Sequence, residues 1–121
     1  MPAPDLDTVA SPPISELKAE LFRALAHPAR IRVLEVLAEG ERSVGELLPY
    51  AGIEPSNLSQ QLAVLRRAGV VTTRKEGSSV IYAIRDPELV AMLASARRML
   101  IHSLAETSGL LDDLRAAAGP R

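Results

Sequence analysis

The chain has 121 residues, a formal net charge of −1 and no cysteine. Disulfide frameworks, thiolate metal sites and thiol-based redox sensing are therefore excluded, and the near-neutral total by itself argues against a general nucleic-acid binder. With Phe22, Tyr50 and Tyr82 as the only aromatic residues, the apolar mass is Leu, Val, Ile and Ala, enough for one modest domain that gains stability by burying helical surface against a second copy.

Residues 1–12 are rich in Pro and Asp and read as a disordered tail. They lack the basic start and apolar run of a signal peptide, and no apolar stretch approaches membrane-spanning length. A soluble cytoplasmic protein without a membrane partner is expected. A first helix is predicted from about Pro13 to Ala26, because Ile14, Leu17, Leu21 and Leu25 recur at steps of three and four, with Phe22 beside them. His27-Pro28 opens a second helix, Pro28 suiting its first position. Ile31, Leu34 and Leu37 are expected to face inward, and Gly40 to stop the helix.

Ser43-Val44-Gly45-Glu46 has the pattern of a capping box and starts a third helix. Leu47 and Leu48 are expected to pack inward, and Pro49 to end this helix early, because its ring clashes with the preceding turn. After the short turn Tyr50-Ala51-Gly52-Ile53, a fourth helix runs from near Pro55 to Ala68 with Leu58, Leu62 and Leu65 on one face. Two short helices joined by a glycine-containing turn make a helix-turn-helix. Val70 to Lys75 and Ser79 to Arg85 then read as strands, with Glu76-Gly77-Ser78 as the hairpin tip. Asp86-Pro87-Glu88 begins the last helix, which carries Leu89, Met92, Leu93, Ala96, Leu100 and Leu104 at helical spacing. Ser108-Gly109 leaves open a break before Leu110, Leu111 and Leu114.

The order α-α-α-α-β-β-α is mainly helical with one small β-hairpin, a winged helix-turn-helix over residues 13–107 followed by a helical extension and tail over 108–121. Its charge is uneven. Residues 1–20 carry Asp5, Asp7, Glu16 and Glu20 against Lys18, a net of −3, whereas residues 56–85 carry Arg66, Arg67, Arg74, Lys75 and Arg85 against Glu76, a net of +4. One basic segment on an otherwise acidic chain suits contact with phosphate along one surface.

The fourth helix presents Ser56, Asn57, Ser59, Gln60 and Gln61 around the inward Leu58 and Leu62. A helix fits the major groove with its N-terminal residues towards base edges. Gln and Asn can pair bidentately with adenine, and Ser can donate or accept. Arg66 and Arg67 lie further along, within reach of phosphates. Arg74, Lys75 and Ser78 place the wing on the backbone or in the minor groove. These residues point to double-stranded DNA as the partner.

The stretch Leu25-Ala26-His27-Pro28-Ala29-Arg30-Ile31-Arg32-Val33-Leu34 resembles the motif that opens the second helix in the ArsR/SmtB family of bacterial repressors. Ser43 to Leu47 is similar to that family's third helix, Ser56 to Leu62 with Leu65 to Val71 to its recognition helix and exit, and Arg74 to Gly77 with Ile81-Tyr82 to its wing. The resemblance covers about residues 15–105. It implies a repressor that binds an inverted-repeat operator as a homodimer built from the first and last helices, with base contacts at Ser56, Ser59 and Gln60. Gln60 stands where the family often has His, and Glu54 where it has a small capping residue. On the dimer face the matching residues are Leu17, Leu21, Leu89, Met92, Leu93, Ala96, Leu100 and Leu104. Apolar faces wider than a small monomer would readily hide agree with a partner helix.

Many members of that family release DNA on binding a metal. The cysteine-based site is absent. At the positions of the site between last helices stand Asp86, Glu88, Met99 and His102, a poor set for zinc, which favours nitrogen and sulfur ligands. The better reading makes Asp86 a helix cap and His102 an ordinary helix residue. No metal and no cofactor are expected, Asp86, Glu88 and His102 being weak candidates only. His27, before a helix-starting proline, reads as structural. Two distant histidines supply no nucleophile–base–orienter set, so an enzyme is not expected. Three alternatives stay open: a regulator with either no small effector or a non-thiol one near the dimer interface, a winged-helix protein-interaction module, and a nonspecific architectural DNA binder, which the mild overall charge disfavours. The second would show exposed Leu, Phe or Trp on the fourth helix.

Overall fold

The computed structural model of the chain describes residues 12–117. The tail expected over residues 1–12 therefore lies, except for Pro12, outside the described residues, as do residues 118–121. The described residues divide into two compact units between Asp86 and Pro87.

The first unit contains α1 (Ile14–Leu25), α2 (Pro28–Leu37), β1 (Arg42–Ser43), α3 (Val44–Ala51), α4 (Pro55–Arg67), β2 (Val71–Glu76) and β3 (Ser79–Ile84). Helix α2 is its hub, touching α1, α3, α4 and β3. It is capped by His27, whose Nδ1 accepts from the Ala29 N–H at 3.1 Å, with Pro28 in the first turn. That gives His27 the structural role its motif position suggests. Arg30 ties α2 to the end of α1 by donating to the Ala24 carbonyl at 2.8 Å. The inward face of α2 is rotated from the expected one. Ala29, Val33, Leu34 and Leu37 are buried, while Ile31 keeps partial exposure, because α2 is covered on several sides and its buried arc follows those neighbours.

Helix α3 runs through Pro49 to Ala51, where an early stop was expected. The proline removes one backbone donor and leaves the Gly45 carbonyl without its helical partner. Both residues are exposed, so water can serve that carbonyl, while Leu47 and Ala51 anchor the same helix face with no exposed surface. Gly52 ends the helix at φ 68°, a left-handed conformation that favours glycine.

Strands β2 and β3 pair antiparallel from Val71↔Ile84 to Glu76↔Ser79. The two-residue loop Gly77-Ser78 has positive φ at Gly77 (63°) and at no non-glycine residue, the pattern of a type II′ hairpin turn whose twist matches the strands. A third strand, β1, was not expected. It pairs Arg42 with Tyr82 and Ser43 with Ile81 on the other edge of β3, giving the order β1-β3-β2. Two residues are too short to show a period-two signal.

The second unit is one helix, α5 (Pro87–Ala117), 31 residues long and continuous through Gly109. A single glycine costs a helix about 1 kcal/mol relative to alanine, too little to break so long a run. Leu89 is buried; Met92 and Leu93 are half-buried, and Leu100, Leu104, Leu110, Leu111 and Leu114 are exposed.

Candidate nucleic-acid interface

Helix α4 is set by its apolar stripe. Leu58, Leu62 and Leu65 have no exposed surface, each contributing roughly 1.5–3 kcal/mol by leaving water. The helix ends in a Schellman motif: Gly69 (φ 74°) donates to Arg66 O at 3.0 Å and Val70 donates to Leu65 O at 3.0 Å. Val70 and Leu65 are both buried, so the same residues that stop the helix launch β2 in a defined direction. At the other end Glu54 occupies the cap position with no side-chain cap bond, where the family pattern has a capping residue.

With the stripe buried, the opposite face of α4 points to solvent. Its five polar residues are not equivalent. Ser56, Ser59 and Gln60 are exposed and, at spacings of three and four, share one face. Asn57 and Gln61 are half-buried and bonded to each other, Gln61 Nε2 donating to Asn57 Oδ1 at 3.0 Å. Gln61 Oε1 is buried without a hydrogen-bond partner. The structure thus brings three of the five expected base readers together on the open face and engages the other two with each other. Arg66 and Arg67 are exposed in the last turn, about 15 Å along the axis from Ser56.

In the wing, Lys75 and Ser78 are exposed. Arg74 is differently placed. Its Nη1 lies 2.6 Å from Glu76 Oε2, its Nε donates to Glu41 Oε2 at 3.4 Å, and its Nη2 pairs with Glu41 Oε1. These two carboxylates push the guanidinium pKa up, and the hydrogen bond from Arg74 holds the Glu41 carboxyl below the usual range. Alternate strand residues share a sheet face, so Glu76 lies beside Arg74 while Lys75 projects to the other side. Glu41 was not foreseen as part of the wing. It stands 33 residues before Arg74, and no local pattern signals such a pair.

Of the residues on the expected dimer face, Leu17, Ala96, Leu100 and Leu104 are exposed in the single chain, Leu21, Met92 and Leu93 are half-buried, and Leu89 retains 8% of its surface. Among the described residues no group of three or more His, Cys, Asp or Glu gathers. Glu88 stands in the first turn of α5, and His102 lies on the same helix roughly 21 Å further along its axis. Within α5, Glu88 and His102 are therefore not neighbours.

A buried-backed helix behind a tight turn, followed at once by a β-hairpin, defines the class of protein: a winged helix-turn-helix DNA-binding protein. The family model described as "Bacterial regulatory protein, arsR family" matches residues 27–73. An uncharacterised HTH-type transcriptional regulator of Mycobacterium tuberculosis, Rv0081, is 56% identical over 107 residues, covering 88% of this chain and 94% of the relative. The crystal structure of Rv0081 superposes with a TM-score of 0.73 over 81% of this chain and 99% of its own. The biofilm growth-associated repressor of Agrobacterium fabrum is 44% identical over 75 residues, 62% of this chain and 64% of that one. The homodimeric winged helix-turn-helix DNA-binding domain Mb0332 of Mycobacterium bovis shows a TM-score of 0.71 at 25% identity, over 88% of this chain and 95% of that one. The chain belongs to the arsR family of bacterial regulatory proteins and is a DNA-binding transcriptional regulator.

Proposed function

We propose that the protein binds an inverted-repeat operator as a homodimer, each copy laying α4 in the major groove and its wing on the adjacent backbone or minor groove. Ser56, Ser59 and Gln60 read base edges, Asn57 and Gln61 hold the helix face behind them, and Arg66, Arg67 and Lys75 neutralise phosphate. Arg74 joins them once its carboxylate partners are exchanged. Leu17, Leu21, Met92, Leu93, Ala96, Leu100 and Leu104 meet their counterparts in the second copy. Binding of this kind represses when the operator overlaps the promoter, and it acts in the cytoplasm, where the DNA is.

One observation carries the reading: the solvent-facing side of α4 offers Ser56, Ser59 and Gln60 and no large apolar group, while its back is locked by three fully buried leucines. A protein-interaction helix would show the reverse. Nothing in this reading calls for catalysis, since His27 is spent on capping α2 and His102 is exposed on α5. The test is selection from a random duplex pool at near-physiological salt. An inverted repeat with half-sites about one helical turn apart is expected; enrichment of no motif by a folded protein would overturn the proposal.

A further inference from the structure

Two cations beside the wing tip suggest a surface that attracts any duplex, yet Arg74 is held by two carboxylates from different parts of the chain. Glu76 reaches it from the same strand, and Glu41 reaches it from the segment between α2 and β1 with both carboxylate oxygens. The cluster Glu41–Arg74–Glu76 has a net charge of −1, and adding Lys75 brings the wing only to neutrality. We propose that Glu41, with Glu76, is a counter-charge latch on Arg74 that lowers affinity for non-cognate DNA, making Glu41 a specificity-determining residue that acts through Arg74. This rests on the DNA-binding reading above and extends it from affinity to discrimination.

The physical argument is an exchange of acceptors. A guanidinium offers five donors in a planar fork that fits carboxylate and phosphate alike. All three side chains are half-exposed or more, at 50% for Arg74, 50% for Glu41 and 65% for Glu76. Such ion pairs are individually weak and are screened by salt, so a phosphate held against Arg74 can displace them. At the operator, base contacts by α4 hold the backbone in that place. On other sequences nothing does, and Arg74 stays engaged with its two carboxylates. Glu41 carries the larger share because its fork-to-fork approach supplies both geometry and charge.

The experiment compares the wild-type chain with Glu41→Gln, Glu76→Gln, Arg74→Ala and the double variant Glu41→Gln/Arg74→Ala. Fluorescence anisotropy is read on the selected operator and on a random-sequence duplex, between about 50 and 200 mM salt. Glu41→Gln is expected to bind the random duplex several-fold more tightly and to lower the operator-to-random affinity ratio. Its plot of log affinity against log salt should be steeper by about 0.9, the increment for one further phosphate neutralised. The double variant should behave as Arg74→Ala alone. Unchanged slope and ratio in Glu41→Gln, with the wild type still selective, would overturn the latch and leave the DNA-binding reading intact. Weaker binding to both duplexes would make Glu41 a brace for the wing and also overturn it. Failure of the wild type to prefer any duplex would remove both.

Discussion

Gln61 donates a 3.0 Å hydrogen bond to Asn57 one turn earlier on α4, and in the proposed reading that pairing separates residues that support the helix from those that would read bases. Gln61→Ala is expected to lower stability by about 1 kcal/mol, the net worth of an intramolecular hydrogen bond, while leaving base preference unchanged. Gln60→Ala should do the reverse, costing about 1–3 kcal/mol on the best site and relaxing one base position. Thermal melts and repeated selection distinguish the two. A changed motif from Gln61→Ala would put that side chain in the groove.

The turn between α3 and α4 depends on Gly52. Its φ is 68°, and an added Cβ would lie 3.3 Å from Nη2 of Arg32, the residue whose Nε donates to the Ala51 carbonyl at 3.0 Å. Gly52→Ala should cost about 1–2 kcal/mol through the left-handed conformation alone, read by denaturant unfolding. A neutral result would mean that the turn can rebuild itself without the positive φ.

Helix α3 contributes a pH dependence with a definite sign. The backbone N–H of Ser43 donates to Glu46 at 3.0 Å and, with the Ser43 hydroxyl, holds the Glu46 carboxyl below its ordinary value. A depressed folded-state pKa stabilises the fold above the unfolded-state value, and the contribution is lost as the pH falls through the depressed one. Glu46→Gln should therefore lessen the loss of stability between neutral and acid pH. Ser43→Ala should remove about 1 kcal/mol by deleting the cap. Melting curves across that range check both, and identical slopes for wild type and Glu46→Gln would remove Glu46 from the acid transition.

Leu100 is 65% exposed in the single chain, so a charged residue there leaves the fold intact and acts on assembly. Leu100→Glu is expected to sediment as a monomer and to lose most of its affinity for the inverted repeat, because each half-site then binds alone. Dimers that persist in the variant would move the interface away from this part of α5.

Much of this protein is decided by neighbours in the sequence. The stripe Leu58, Leu62 and Leu65, the Ser43–Glu46 box, the Gly69 stop and the Gly77 tip act over a few residues, so the helices and the hairpin were legible without a structure. Three features were not. The rotation of α2 that buries Val33 in place of Ile31 is set by the elements packed around it. Helix α3 passes Pro49 because Leu47 and Ala51 are buried on its far side, and β1 exists only because β3 offers it an edge. In the interface, sequence spacing assembled the polar run of α4 and the wing cations, while folding decided which of them remain open to a ligand. Asn57 and Gln61 engage each other through a side-chain contact, and Arg74 is matched by a carboxylate 33 residues away. Backbone periodicity and turn chemistry are local, and so can be read along the chain. Burial and charge pairing depend on which surfaces the tertiary fold brings within a few ångströms of each other.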